Sequence, residues 1–180
     1  MGTAGPPGGN EPTPPLPSAI DAALRFLGYR ARSEAEVRRR LLRRYSPEVV
    51  EQVVDLLKAQ RYLDDPAFAR EWRSNRERFR PRAGRLVRQE LLRLGVSAEV
   101  AQSALSDFDN QANAQEAASR LARRLRSRDY TPEELRRRLW SHLRQRGFGY
   151  GEIKEAVDRV LEELGTDLLH SQHDPEDDKQ

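Results

Sequence analysis

Val37-Arg38-Arg39-Arg40-Leu41-Leu42 returns 50 residues later as Val87-Arg88-Gln89-Glu90-Leu91-Leu92, and 48 residues after that as Leu135-Arg136-Arg137-Arg138-Leu139-Trp140. In each copy the first and fifth residues are apolar, which places them one above the other on a helix. A short break follows each copy, and then a second stretch of helical apolar period: 49–57, 100–105 and 153–161. A repeat of this length marks stacked helical units whose neighbours bury faces that one unit alone would leave wet. The expected fold is all-α, an elongated tandem array of three three-helix repeat units.

Helix punctuation supports that reading. Ser33 with Glu36 forms a capping box ahead of Val37, and Thr131-Pro132-Glu133-Glu134 repeats the device with Pro at the first helical position. Ser46-Pro47 and Asp65-Pro66 read as N-cap followed by Pro. Gly95, Gly147 and Gly165 are placed to stop helices in the left-handed conformation. Helices are expected near 19–29, 33–44, 47–60, 66–79, 83–94, 98–108, 111–126, 132–146 and 151–164. Phe68, Trp72, Asn75/Arg76 and Phe79 space one buried face, Val49, Val50, Val53, Val54 and Leu57 a second, and Ile153, Ala156, Val157, Val160 and Leu161 a third. The expected organisation is a disordered Gly/Pro-rich arm over 1–18, units over 19–63, 64–110 and 111–165, and an acidic disordered tail over 166–180.

Composition narrows the function. The 180 residues are 34% charged and contain no Cys, which removes disulfides, thiolate metal sites and thiol nucleophiles and fits a reducing compartment. The opening residues have neither a basic nor an apolar stretch, so no secretory signal is expected, and no run is long and apolar enough to cross a bilayer. No Walker-type phosphate loop and no paired acid and base are present. Asp64-Asp65 reads as capping rather than metal binding, while His170 and His173 have spacing for a weak metal site. No cofactor and no catalysis are expected.

The net charge of +3 hides a segregation: residues 19–165 carry +8 and residues 166–180 carry −4. The middle helix of every unit is basic, at +3 each over 33–44, 82–94 and 131–146. The last helix is acidic, at −2, −2 and −3 over 46–60, 97–108 and 151–164. Acids at helix starts and Arg at helix ends also complement the helix dipole, so part of the pattern is ordinary solvated charge. A helix-turn-helix would push the helix after the turn into a major groove. Here that helix is the acidic one, which argues against sequence-specific reading of duplex DNA. Arg outnumbers Lys 29 to 3. Either bidentate recognition of phosphate and carboxylate or a GC-rich genome accounts for that. The densest basic run is Arg70, Arg73, Arg76, Arg78, Arg80, Arg82, Arg85, Arg88 and Arg93, and Phe79, Tyr130 and Tyr150 lie beside basic segments as stacking candidates or as core residues. The candidate binding residues are Arg76, Arg80, Arg82, Arg85, Arg88, Arg136, Arg137, Arg144 and Arg146. The acidic tail is expected to shield them in part.

Tyr62-Leu63-Asp64-Asp65-Pro66-Ala67-Phe68-Ala69 resembles the linker and helix start of the RecX family of recombination regulators. Arg80-Pro81-Arg82-Ala83-Gly84-Arg85-Leu86, Leu91-Leu92-Arg93-Leu94-Gly95-Val96 and Arg146-Gly147-Phe148-Gly149-Tyr150-Gly151-Glu152-Ile153 are similar to its later blocks, in order, and the resemblance covers about 20–164. It implies a cytoplasmic, monomeric, non-enzymatic partner of the RecA recombinase in homologous recombination, DNA repair and the SOS response. Such a protein lodges in the groove of the RecA–single-stranded DNA filament and restrains ATP hydrolysis and strand exchange. A general DNA-binding architectural protein and a helical adaptor for protein partners are the alternatives. One departure stands out: Arg43-Arg44-Tyr45-Ser46 has no Gly where the family usually does, so the first turn is expected to differ or be strained.

Overall fold

The structure is a computed structural model that describes residues 16–126, 128 and 130–171, with side chains as far as residue 165. The described residues form nine helices and no strand: α1 (Leu16–Leu27), α2 (Glu34–Leu41), α3 (Pro47–Ala59), α4 (Asp65–Phe79), α5 (Gly84–Arg93), α6 (Ala98–Ala104), α7 (Asn110–Leu125), α8 (Pro132–Gln145) and α9 (Tyr150–Ser171). None is long and apolar enough to cross a membrane. Leu16, Pro17 and Ser18, grouped with the arm on composition, instead form the first turn of α1, where a proline near the N-terminus loses no helical hydrogen bond. The rest of the arm, and the tail with His170 and His173, lie outside the residues whose side chains are described.

The chain divides into two compact units, Met1–Phe68 with Leu94–Val96 and Ala69–Arg93 with Ser97–Gln180. In the first, α1, α2 and α3 enclose a core built on Val37 and Leu41 from α2 and on Val50, Val53, Val54 and Leu57 from α3. The α3 spacing of i, i+3, i+4 and i+7 is one helical stripe, so β-branched residues that favour strands serve a helix here. Expected strain in the turn after α2 is absent. Arg44 and Tyr45 donate their N–H groups to Leu41 O at 2.9 and 3.0 Å, and Leu42 closes the helix at φ −57°. Tyr45, 8% exposed, takes over the locking role: its hydroxyl donates to Ser18 O at 3.0 Å and sits 3.1 Å from Ser18 Oγ.

Both capping boxes form, at Ser33 and Thr131. Ser46 takes the N-cap position of α3 without a side-chain hydrogen bond. Asp65 behaves differently from its expected role. Asp64 Oδ1 accepts from Ala67 N at 2.7 Å and so caps α4, whereas Asp65 Oδ1 accepts from Glu34 N at 2.9 Å and caps α2. An orphan N–H at a helix start takes whichever carboxylate tertiary packing delivers.

In the second unit α7, α8 and α9 pack on each other around Leu139, Leu143, Phe148, Ile153 and Val157. Ala114, Ala117, Ala118 and Ala122 form the inner face of α7, opposite Ala156 of α9. Such small residues let helix axes approach toward the short end of the usual range, about 8 Å. The repeat positions keep their roles: Val37, Leu41, Val87, Leu91 and Leu139 are buried, while Leu42 and Leu92 face outward. Gly95 and Gly147 adopt φ +88° and +85°, the conformation expected of helix stops. Gly165 does not stop α9, whose backbone continues to Ser171. A glycine permits the left-handed turn without imposing it, and no Cβ packing demands one there.

Candidate nucleic-acid interface

Several arginines of the basic helices are engaged by carboxylates of their own unit. Arg38 of α2 pairs with Glu51 of α3 at 3.0 Å and with Glu34 at 3.1 Å. Its repeat equivalent Arg136 of α8 pairs with Asp158 of α9 at 2.7 Å. The alternation of basic and acidic helices thus partly serves to fasten neighbouring helices, and exposed pairs of this kind contribute about 0.2–1 kcal/mol each. Arg76 and Arg82 are bound more firmly. Both ion-pair with Glu90, Arg76 through Nε at 2.7 Å, and Trp72 Nε1 donates to the same carboxylate at 2.8 Å. Arg76 also lies 4.4 Å over the Trp72 ring. Burial pushes the Glu90 carboxyl up, but hydrogen bonds from Arg76 and Trp72 and the charge of Arg82 outweigh it and hold the group below its ordinary value.

The other candidates are freer. Arg80, Arg88, Arg137 and Arg144 have no carboxylate partner among the described residues. Arg80, Arg137 and Arg144 are exposed and Arg88 is half-buried. Arg85 donates from Nε to Gly147 O at 2.7 Å. Arg146 donates from Nη1 to Pro81 O at 2.7 Å and from Nε to His142 Nε2 at 2.8 Å, while Ala83 N donates to Arg146 O at 3.0 Å. This reciprocal bonding ties the 81–83 segment to the C-terminus of α8.

Five arginines converge there. Burial, then the fields of Arg82, Arg124, Arg120 and Arg80, push the Arg146 guanidinium below its ordinary value. It stays cationic, because a guanidinium does not lose its proton in proteins. His142 is pushed down to about 4 by burial and by Arg146 and Arg124, so its neutral ring accepts from Arg146. Phe79, Pro81, Ala117, Arg120, Leu121, Arg124, His142 and Arg146 line a concavity of about 140 Å³. Arg120 is tied by Glu116 at 2.5 Å and by Arg78 O at 2.7 Å, whereas Arg124 has no carboxylate partner among the described residues.

Sequence reasoning named Arg80, Arg82 and Arg146 of this group but not Arg120, Arg124 or His142. The i, i+4 spacing of Arg120 and Arg124 on an Ala-faced helix is a usable signal, although neither lies on a middle helix or in the densest basic run. Among the described residues no group of three or more His, Cys, Asp or Glu side chains is gathered to hold a metal ion.

Comparison with known proteins agrees with this architecture. Three sequence models of one family match in order: RecX, first three-helix domain, over residues 19–57; second three-helix domain over 64–105; third three-helix domain over 108–157. The regulatory protein RecX of Chlorobium limicola is 35% identical over 141 residues, covering 78% of this chain and 87% of that protein. That of Streptomyces coelicolor is 30% identical over 164 residues, covering 90% and 87%. The fold matches the crystal structure of RecX from Lactobacillus salivarius with a TM-score of 0.65 at 18% identity, over 81% of this chain and 96% of that one. This all-helical chain of three three-helix domains belongs to the RecX family of regulatory proteins, a non-enzymatic family.

Proposed function

We propose that this chain regulates the RecA recombinase by lodging, as a cytoplasmic monomer, in the groove of the RecA–single-stranded DNA filament, where it restrains ATP hydrolysis and strand exchange. Family membership supports a regulatory role, and the family resemblance read from the sequence supplies the partner. The single observation that carries a nucleic-acid component is the arginine surplus of the second unit. Arg80, Arg88, Arg124, Arg137, Arg144 and Arg146 have no carboxylate partner among the described residues, while neighbouring arginines do. Guanidinium groups left in excess attract a polyanion and speed its encounter.

The test is the ATPase rate of RecA on single-stranded DNA with and without this protein. A fall in rate with added protein is the expected result. An unchanged rate, with binding to bare DNA retained, identifies a general DNA-binding protein instead.

Binding is also expected to weaken with salt. Each phosphate neutralised on a single strand contributes about 0.7 to the slope of log affinity against log salt concentration. An affinity that does not change between roughly 50 and 200 mM salt removes the electrostatic basis of the proposal.

A further inference from the structure

We infer that the concavity between the end of α4, α7 and the end of α8 binds the phosphodiester backbone of a single nucleic-acid strand, with one unstacked base resting on Phe79. The inference rests on the reading of this chain as a protein that works on single-stranded DNA, and it names the site.

Two independent features converge. The first is charge: Arg124 and Arg146 line one concavity, Arg80 lies near enough for its charge to act on Arg146, and none of the three has a carboxylate partner among the described residues. Like charges held together cost energy, and a bound anion offsets that cost. Arg146 uses Nε on His142 and Nη1 on Pro81 O, so its guanidinium is held in one orientation with Nη2 left over for an anion. His142 is a positioning residue here: only its neutral ring can accept from Arg146, and its depressed basicity keeps it neutral.

The second feature is Phe79. The expected apolar stripe of α4 ends with this ring, yet it is 60% exposed and lines the same concavity. An exposed aromatic face beside guanidinium groups is the arrangement on which successive bases stack. Base stacking decides between ligands. A duplex keeps its base faces covered, and an acidic peptide offers a ring only where an aromatic residue flanks its carboxylates. A single strand supplies both the phosphates and the face.

The experiment measures fluorescence anisotropy of the full chain with a labelled oligothymidylate and with a hairpin duplex. The variants are Phe79→Ala, Arg80→Ala with Arg124→Ala, and, as a control in the first unit, Arg43→Ala with Arg44→Ala. Phe79→Ala is expected to weaken single-strand binding about 5- to 100-fold and to leave duplex binding within about twofold, since only the strand offers a base face. The Arg80/Arg124 variant is expected to weaken both ligands and to lower the single-strand salt slope by about 1.4, two contacts at about 0.7 each. Single-strand binding by both site variants that equals the parent's, or that falls no further than the control's, overturns the site.

The two readings separate cleanly. A parent protein that binds no oligothymidylate but lowers RecA ATPase sinks this site and leaves the regulatory role standing. Binding through these residues with RecA ATPase unchanged does the reverse.

Discussion

Glu90→Ala is expected to destabilise the second unit by about 3 kcal/mol. Glu90 is 15% exposed at its side chain and gathers three donors, from Trp72, Arg76 and Arg82. Removing it leaves two guanidinium groups, 23% and 30% exposed, without their counter-charge. Loss of one partner from a buried pair costs about 3–5 kcal/mol, and residual solvent around both arginines places this case at the lower end. Glu90→Gln keeps an acceptor but no charge, and about half the effect is expected. Trp72 and Trp140 are the chain's two tryptophans and both lie in the second unit, so urea unfolding followed by tryptophan fluorescence reports on that unit. Unchanged midpoints in both variants would show that the Glu90 cluster contributes nothing to stability.

The same residues set a pH response. The folded-state carboxyl of Glu90 lies below its ordinary value of 4.5, so its contribution is complete above that value and is lost as pH falls through the folded value. His142 acts earlier. Its folded value of about 4 lies below the ordinary 6.5, so the unfolded chain binds the extra proton and stability declines as pH drops from 6.5 toward 4. His142→Gln should flatten the decline over that upper window and leave the loss below 4.5 in place.

Gly95→Ala is expected to cost the first unit about 3 kcal/mol. At φ +88° an L side chain is strained by about 1–2 kcal/mol. The added methyl would also overlap the Cβ of Ala35, at the start of α2, where real atoms cannot interpenetrate. Relief requires α2 to move, and that movement pulls on the Ser33 hydroxyl, which donates to Leu94 O at 2.5 Å. Overpacking of this kind adds about 1–3 kcal/mol. A double-mutant cycle with Ala35→Gly separates the parts, because it removes the overlap and keeps the backbone strain. Coupling of about 1 kcal/mol or more, read from the chemical-denaturation midpoint of the first unit, is expected. Zero coupling would place the whole cost in the backbone.

Periodicity and punctuation made the helices legible. Val50, Val53, Val54 and Leu57 announced a buried stripe, and Ser33 with Glu36 and Thr131 with Glu134 announced two helix starts, because each signal acts within four residues of itself. The same locality explains the misreadings. Asp65 looked like the cap of its own helix but caps α2, and Gly165 looked like a stop but lies inside α9. Net charge subtracts Glu90 from its helix but does not say which arginines it holds, and in the structure these are Arg76 and Arg82.

The linear order of residues by itself determined the all-helical class, the threefold repeat, the core stripes other than the end of that on α4, and the sign of each helix. Those properties depend on backbone hydrogen bonding and side-chain period, which are settled over one or two turns. Tertiary structure alone decided which arginines are spent on carboxylates and which remain available. It also brought Phe79, Arg124 and Arg146 to one concavity from three separate stretches of chain, with Arg80 close enough for its charge to reach Arg146. Ion pairing and desolvation depend on distance in space, and nothing in the spacing of residues along the chain records that distance.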